Sequence, residues 1–393
     1  MKSAKLKDLP IQIIDGDRSP RYPKRDEFQE DGILFLNTTN IIDNRLDLSD
    51  ANYISHEKFS QLSKGKLQPL DIVMTTRGSI GKVALFNHSL HRTGFINAQM
   101  LIFRSDGKVI DPFYLYYFLC SSNMQGLIKN FASGSAQPQI PITDLREIEI
   151  DYPDFPTQRR IANILSAYDN LIENNTRRIR ILEQMTQAIY QEWFGKVEKI
   201  KGWELKPFSE LVDIDPATPV DKQIEKPFVG MNAISEISMI INLNLIEMRT
   251  GSSGAKFRNR DVLFPRITPS VENGKGAFVQ FLKDGQVAIG STEIIVFREK
   301  ELNAEYIYFL SREHEFRGNA INSMVGASGR QRVQQKCFDS FMVAKPPKKL
   351  LEEFADIVSP MFKITHTLAL KNANLRQTRD LLLPRLVSGE VEV

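Results

Sequence analysis

The sequence has few of the features that mark specialised protein classes. Only two cysteines, Cys120 and Cys337, occur in 393 residues, and their separation without Cys-x-x-Cys spacing argues against a disulfide scaffold or a structural zinc site. No stretch approaches the roughly 20 apolar residues that span a bilayer, and the N-terminus lacks the apolar core of a signal peptide. We therefore expect a cytoplasmic protein that is neither secreted nor membrane-spanning.

The chain also lacks an excess of one charge. Its 51 basic and 48 acidic residues leave a formal net charge of +3, so composition alone does not indicate a nucleic-acid partner. With 42% apolar and 25% charged residues, the composition is typical of globular proteins. One hydrophobic core seldom supports more than about 250 to 300 residues. Two or more domains are therefore expected.

Sequence motifs of catalysis and cofactor binding are missing. The segment 273–276, Asn-Gly-Lys-Gly, lacks the spacing and the hydroxyl of a phosphate-binding loop, and no Gly-x-Gly-x-x-Gly follows a predicted strand. The segment 344–348, Ala-Lys-Pro-Pro-Lys, lacks the Asn or Asp that amino-methyltransferases place before Pro-Pro. Five scattered histidines provide no set of metal ligands. We expect no catalytic residue, no metal site and no cofactor on this chain.

The two halves of the sequence match each other in order. Segment 71–77, Asp-Ile-Val-Met-Thr-Thr-Arg, aligns with segment 261–266, Asp-Val-Leu-Phe-Pro-Arg, which places Arg77 opposite Arg266. In both halves, short strands, glycine turns and short helices alternate, a pattern typical of α+β domains. The sequence therefore predicts an internal duplication with two similar mixed domains, at 1–155 and 198–347.

A long amphipathic helix is predicted between these domains, at 156–197. Residues 157–194 contain no proline or glycine, and apolar residues recur at steps of 3 and 4. These apolar residues form a stripe along one face of the helix. A second apolar stripe of this kind lies in 348–393, where Pro360 and Pro384 predict a kink or a break in the helix. We expect the two stripes to form an antiparallel coiled coil through Ile161, Leu165, Ile172, Ile179, Leu182, Ile189, Phe354, Val358, Leu368, Leu375 and Leu382.

Each stripe also carries an asparagine, Asn175 or Asn372. Buried opposite each other, the two amides would fix the register of the helices at a cost in stability. The alternative is that both amides are exposed to solvent.

Corresponding polar loops follow corresponding strands in the two halves. Their arginines, hydroxyls and amides can read base edges or hold phosphates, and their glycines allow close backbone approach. Structural turns with paired or solvated arginines are the alternative. The candidate DNA-contacting residues are Thr76, Arg77, Ser79, Lys82, Ser133, Ser135, Gln137, Gln139, Arg266, Thr268, Lys275, Arg330 and Arg332.

The helices carry a family likeness. Segment 156–175, Pro-Thr-Gln-Arg-Arg-Ile-Ala-Asn-Ile-Leu-Ser-Ala-Tyr-Asp-Asn-Leu-Ile-Glu-Asn-Asn, and the end at 190–194, Tyr-Gln-Glu-Trp-Phe, resemble the first shared helix of type I restriction-modification specificity subunits. Segment 374–390, Asn-Leu-Arg-Gln-Thr-Arg-Asp-Leu-Leu-Leu-Pro-Arg-Leu-Val-Ser-Gly-Glu, is similar to the second shared segment of that family.

The resemblance implies a non-catalytic subunit that reads double-stranded DNA with two target recognition domains. Its helices would dock two modification (methyltransferase) subunits and, through them, restriction subunits. S-adenosylmethionine, ATP and magnesium would then belong to those partners. Outward-facing helix residues are expected to contact a partner: Tyr190, Trp193, Arg376, Arg379 and Arg385. For Trp193, simple packing between helices is the alternative.

Another hypothesis is a scaffold whose helices assemble protein partners and whose domains do not bind DNA. The weak net charge is compatible with it. A self-contained nuclease or methyltransferase is disfavoured by the missing motifs.

Overall fold

A computed structural model describes residues 1–87, 91–131, 139–196, 201–327 and 329–393. The chain divides into two compact units. Unit 1 consists of Met1–Asn170 together with Arg376–Val393, and unit 2 consists of Leu171–Leu375. Among the residues described, no helix combines the length and the apolar character needed to cross a membrane.

The described residues of the first half of the chain form twelve strands, four short helices and one long helix. In chain order these are β1 (Lys2–Lys5), β2 (Ile11–Asp15), β3 (Ile33–Leu36), β4 (Ile41–Ile42), β5 (Arg45–Leu46), β6 (Asn52–Ile54), α1 (His56–Gln61), β7 (Lys66–Leu67), β8 (Asp71–Thr75), β9 (Val83–Phe86), β10 (Gly94–Ile96), β11 (Met100–Ser105), α2 (Pro112–Cys120), α3 (Ser122–Asn130), α4 (Ile142–Arg146), β12 (Glu149–Tyr152) and α5 (Phe155–Phe194).

The second half follows the same plan with shorter connections. Its elements are β13 (Leu205–Pro207), α6 (Phe208–Leu211), β14 (Val212–Ile214), β15 (Lys226–Val229), β16 (Glu247–Arg249), β17 (Ala255–Phe257), β18 (Val262–Pro265), β19 (Ala277–Phe278), β20 (Ala288–Gly290), β21 (Ile294–Glu299), α7 (Ala304–Leu310), α8 (His314–Asn322), α9 (Cys337–Ser340), β22 (Met342–Ala344) and α10 (Lys348–Val387).

The sheets confirm the internal duplication. Unit 1 has four-stranded sheets in the orders β6-β3-β10-β7 and β2-β11-β8-β9, and unit 2 has the orders β16-β15-β20-β17 and β14-β21-β18-β19. In each unit the first sheet contains one parallel pair, β3 with β10 or β15 with β20, and the terminal strands of the globular part pair antiparallel, β1 with β12 or β13 with β22. The mixed α+β fold expected from the sequence is therefore present twice.

A buried ion pair recurs between two central strands of each unit. Asp71 of β8 accepts two hydrogen bonds from the Arg104 guanidinium of β11, both 2.7 Å long. Asp261 and Arg298 make the equivalent contacts at 2.8 and 2.7 Å. Both carboxylates are only 1% exposed, so each guanidinium fork compensates a charge that water does not reach.

Helix starts recur as well. Asp111 caps α2 by accepting hydrogen bonds from the backbone N–H groups of Phe113 and Tyr114, and Asn303 caps α7 by accepting from Tyr306. Such side chains satisfy backbone donors that a helix leaves free at its first turn. The tyrosines of α2 and the aromatic residues of α7 are buried in the core of their unit.

The two long helices complete the core of both units. In unit 1, Ile161 and Leu165 of α5 pack in one cluster with Leu383 and Leu386 of α10. In unit 2, Tyr190 and Phe194 of α5 share a cluster with Leu351, Phe354, Val358 and Phe362 of α10. Later residues of α5 thus meet earlier residues of α10, which is the antiparallel pairing expected from the sequence.

The helix-pairing residues expected from the sequence, here called the seam, differ in how deeply they are buried. Ile161, Leu165, Ile172, Phe354, Val358 and Leu368 are buried, whereas Ile179, Leu182, Ile189, Leu375 and Leu382 are half-buried. Helix α10 continues through Pro360 and Pro384, so the expectation of a break is wrong. Leu383 takes the buried position that the sequence pattern assigned to Leu382, and Phe362 is buried as well.

Three residues expected to face a partner instead lie within the fold. Tyr190 is 1% exposed and its hydroxyl donates to Glu313 over 2.7 Å, so its assignment to an outer surface is wrong. Trp193 packs against the core of unit 2, which confirms the packing alternative. Arg379 donates to the Asp169 carboxylate of α5 at 2.5 Å, and Asp169 also accepts from Arg45 and Tyr117.

The two stripe asparagines are buried and bonded to each other in unit 2. The Asn175 amide donates to Asn372 Oδ1 over 3.0 Å, and the Asn372 amide donates to the Ile172 carbonyl and to Thr176 Oγ1. Only one register of the helices aligns all of these groups. The buried alternative is therefore the correct one.

Replacing one member of this pair should destabilise unit 2. Asn372→Leu leaves the buried Asn175 amide without its acceptor, which should lower the free energy of unfolding by about 1 to 3 kcal/mol. Asn175→Leu/Asn372→Leu should recover part of that loss because no amide remains unpaired. Urea unfolding of the full chain measures both effects. Lys371→Leu, at an exposed neighbouring position, is the control and should change stability little; a loss as large as that of Asn372→Leu would contradict the role of the amide pair.

Candidate nucleic-acid interface

The first candidate loop, 76–82, follows β8 and is tied to the sheet at both ends. Thr76 donates its backbone N–H and its hydroxyl to the Gln99 carbonyl, at 2.8 and 3.0 Å, and its own carbonyl accepts from Ile140 N–H. Gly81 has a φ of 81°, and a Cβ there would lie 2.9 Å from Ile128. Glycine is therefore required where the loop returns to β9.

The polar side chains of this loop differ in what they contact. Arg77 is half-buried, forms a backbone bridge with the exposed Gln139, and has no carboxylate within ion-pair distance among the residues described. Ser79 is exposed. Lys82 is half-buried and its ammonium donates to the Ile41 carbonyl over 3.2 Å. Arg77, Ser79 and Gln139 are thus the groups most available to a ligand.

The second candidate loop, 266–275, is anchored in the same way. Arg266 N–H donates to the Glu293 carbonyl over 2.8 Å, and the Arg266 carbonyl accepts from Val333 N–H over 2.8 Å. Within the part of the chain that the structure describes, the buried Nε of Arg266 has no hydrogen-bond partner. A buried guanidinium donor without an acceptor is costly, and an acceptor supplied by a ligand or by water would remove that cost.

These anchors correct the alignment of the two loops. The backbone contacts of Arg266 with Glu293 and Val333 are those of Thr76 with Gln99 and Ile140, not those of Arg77. Arg77 therefore has its structural counterpart in Ile267, which pairs with Arg332 as Arg77 pairs with Gln139. The sequence alignment placed Arg77 opposite Arg266 and was wrong by one residue. It matched the two arginine side chains, whereas structural equivalence is set by the backbone hydrogen bonds at the end of each strand.

The two threonines expected to contact DNA are buried and make hydrogen bonds within their own unit. Thr76 is 4% exposed, with its hydroxyl bonded to Gln99, and Thr268 is 8% exposed, with its hydroxyl accepting from Gln331 N–H over 3.2 Å. Both hydroxyls thus help to hold the loops from within, and a contact of either threonine with DNA stays a prediction. Lys275 resembles Lys82, since its ammonium donates to the Met231 carbonyl over 2.9 Å.

Arg332 is held by an acidic residue that the sequence pattern did not single out. Its guanidinium contacts both carboxylate oxygens of Glu293, the shortest distance being 2.7 Å, while Arg330 is exposed. Hydrogen bonds from Arg332, with a further contribution from the charge of Arg266, hold the pKa of Glu293 below its ordinary value. Glu293 precedes β21 as Gln99 precedes β11, so the repeat itself contained the signal that could have found it.

A cleft of about 690 Å³ opens beside Arg266 in unit 2. Asp215, Thr218, Lys256 and Thr292 also line it. The Asp215 carboxylate accepts from Val296 N–H over 2.8 Å and from the Gln335 amide, so it is oriented by the fold. Of these residues, only Arg266 was expected from the sequence.

Three further candidates, Ser133, Ser135 and Gln137, lie outside the described residues. No group of three or more His, Cys, Asp or Glu side chains suited to a metal ion occurs in the described ranges.

Comparison with known proteins links this arrangement to one family. A family model described as the type I restriction modification DNA specificity domain matches residues 2–184. The chain is 26% identical to the type I restriction enzyme MjaIX specificity subunit of Methanocaldococcus jannaschii, over 82% of this chain and 78% of that protein. It is 20% identical to the HindI specificity subunit of Haemophilus influenzae, over 96% of this chain and 98% of that protein. The fold is similar to the crystal structure of a type I restriction-modification S subunit from M. genitalium, with a TM-score of 0.61. That similarity covers 98% of this chain and 95% of the other chain, at 15% sequence identity.

Removing the charge of Glu293 should strengthen binding to DNA of any sequence. Glu293→Gln keeps the side-chain size but frees the Arg332 guanidinium for a phosphate, which should steepen the dependence of log Kd on log salt by about one unit. Fluorescence anisotropy with a random duplex, over a series of salt concentrations, measures the change.

The matched control is Glu247→Gln, which frees Arg249 from an exposed ion pair of the same unit. Equal steepening in both variants would show that the loop position has no special access to DNA.

Proposed function

We propose that this chain, which belongs to the family of type I restriction-modification DNA specificity subunits, reads a bipartite and asymmetric DNA target. Its role is DNA sequence specificity, and it is not the catalytic component of such a system. Each of its two globular parts, 1–155 and 198–347, acts as a target recognition domain for one half-site, meaning one of the two short sequences that make up the target. Segments 156–197 and 348–393 act as the spacer helices.

The observation that carries the proposal is one framework built twice with different side chains on its loops. The strand order, the buried Asp–Arg pair and the loop anchors are the same in both units. Thr76 in the first loop and Arg266 in the second occupy the same position. The residue that forms the backbone bridge with the loop is Gln139 in the first unit and Arg332 in the second. Amide and guanidinium groups favour different base edges, so two different half-sites are expected.

We assign the polar side chains of these loops, other than the two buried threonines, to two reading surfaces. For the first half-site they are Arg77, Ser79, Lys82 and Gln139. For the second they are Arg266, Lys275, Arg330 and Arg332. Contacts from a few loops suffice, because partner subunits of the complex can contribute further phosphate contacts and the chain then needs no large positive charge.

The partners in this proposal are double-stranded DNA and two modification subunits, with restriction subunits joined through them. This chain itself binds no cofactor, whereas S-adenosylmethionine, ATP and magnesium belong to the partner subunits. The cytoplasm is the expected location because the DNA and these cofactors are found there.

Mapping of methylated adenines in a host that carries this chain with its modification subunits tests the proposal. The expected motif has two short specified blocks of different sequence, separated by an unspecified gap. A palindromic or continuous motif would contradict the assignment of one half-site to each unit, and methylation without any motif would contradict a role in specificity.

Arginine substitutions should impair one half-site at a time. Arg77→Ala should weaken recognition of the first half-site, and Arg266→Ala that of the second, each by about 1 to 3 kcal/mol if the arginine reads a base. Competition binding with duplexes mutated in one half-site separates the two effects. Lys300→Ala, which removes an exposed cation outside the proposed contacts, is the control and should alter neither half-site. Equal loss at both half-sites in either arginine variant would refute the assignment.

A further inference from the structure

A second pair of equivalent residues holds the two candidate loops from inside the fold. Gln125 and Arg317 each lie four residues after the N-cap of a matching helix, Ser121 for α3 and Glu313 for α8. Their backbones make the same first-turn contacts, Gln125 N–H with the Ser121 carbonyl and Arg317 N–H with the Glu313 carbonyl. They are thus the same position of the duplicated framework, although their side chains differ.

In unit 1, the Gln125 amide bridges the loop to the helix pair. Its Nε2 donates to the Gly81 carbonyl over 2.9 Å and to the Leu119 carbonyl over 2.8 Å. The Gly81 carbonyl belongs to the peptide that precedes Lys82. The backbone at the end of the first loop is therefore fixed by a neutral side chain.

In unit 2, the Arg317 guanidinium performs the same task with more contacts. It donates to the Val271 carbonyl over 3.0 Å and to the Lys275 carbonyl over 2.8 Å, and it lies 5.2 Å from the centre of the Phe264 ring. Arg312 adds a bond of 3.3 Å to the Gly274 carbonyl. The peptides on both sides of Lys275 are thereby held.

Arg317 is buried, and within the described ranges no carboxylate lies within ion-pair distance of it. Burial, together with the nearby charge of Arg312, lowers the pKa of Arg317 to about 10, so it is still a cation at neutral pH. A buried cation that is compensated only by carbonyl groups is costly to keep. Its geometric role in the loop explains why a guanidinium occupies this position.

We propose that Gln125 and Arg317 are positioning residues for DNA recognition. Gln125 fixes the first reading loop through the carbonyl that precedes Lys82, and Arg317 fixes the second through the carbonyl of Lys275 itself. The proposal rests on the proposed function for the identity of the ligand. Neither residue contacts DNA in this role. Each sets the orientation of the neighbouring side chains, Arg77 and Lys82 in the first loop, and Arg266 and Lys275 in the second.

Gln125→Met is the cleanest test because methionine has nearly the same shape as glutamine and cannot donate a hydrogen bond. In the full chain assembled with its modification subunits, this variant should bind a duplex with an intact first half-site about two- to tenfold more weakly. Its affinity for the second half-site should stay unchanged, measured with duplexes that carry only one intact half-site.

Arg317→Met and Arg317→Gln form the matching pair for the second unit. Arg317→Met should lose affinity for the second half-site only, and Arg317→Gln, which installs the side chain that unit 1 uses, should lose less. Two readouts separate positioning from other roles. The salt dependence of log Kd should keep its slope in all three variants, since no phosphate contact is removed. Amide hydrogen exchange should accelerate in the affected loop more than in the central strands of the same unit.

The outcomes distinguish this inference from the proposed function. A wild-type complex that prefers a bipartite duplex, with Gln125→Met retaining that preference in full, overturns the inference alone. A slope less steep by about one unit in Arg317→Gln also overturns it, because it would reveal a direct phosphate contact. A wild-type complex without any sequence preference overturns both. If Arg317→Met does not fold, Gln125→Met and Arg317→Gln decide the question.

Discussion

Antiparallel pairing of two long helices is the constraint on which the rest of the molecule depends. Each unit closes its core with one segment of α5 and one of α10: Ile161 and Leu386 belong to unit 1, Tyr190 and Phe354 to unit 2. Neither globular part can bury its apolar face without both helices. The Asn175–Asn372 amide pair then selects the register, because a shift of either helix would leave buried amide groups unpaired. Stability and helix register are thus set by the same seam.

Within each unit, a common framework carries side chains that are free to vary. The buried Asp–Arg pairs tie together β8 with β11 and β18 with β21, and the loop that follows is anchored by backbone bonds that do not depend on side-chain identity. Such anchoring lets Thr76 and Arg266 occupy one structural position. Duplication followed by divergence of loop side chains is a physical route to an asymmetric DNA target, since the scaffold stays intact while the groups that face the ligand change.

Polar groups inside the fold decide which side chains of the two candidate loops are free of internal bonds. Glu293 pairs with Arg332, the lysines of both loops donate to carbonyl groups of their own unit, and Gln125 and Arg317 hold the loop backbones from beneath. Such internal bonds cost affinity where they compete with a phosphate. They also reduce the entropy lost when a loop is ordered on binding. Under the proposed function, these loops form a reading surface of modest charge, in agreement with the nearly balanced composition.

The sequence by itself determined the duplication, the mixed α+β class and the antiparallel helices, because the apolar periodicity of 157–194 and the repeated strand patterns are local signals. It also contained the two asparagines of the seam, although not whether they were buried. Only the tertiary structure decided that Tyr190 is a core residue, that α10 passes through Pro360 unbroken, and that Arg77 corresponds to Ile267 and not to Arg266. These outcomes depend on backbone hydrogen bonds and packing between segments far apart in the chain, which no local pattern of side chains specifies.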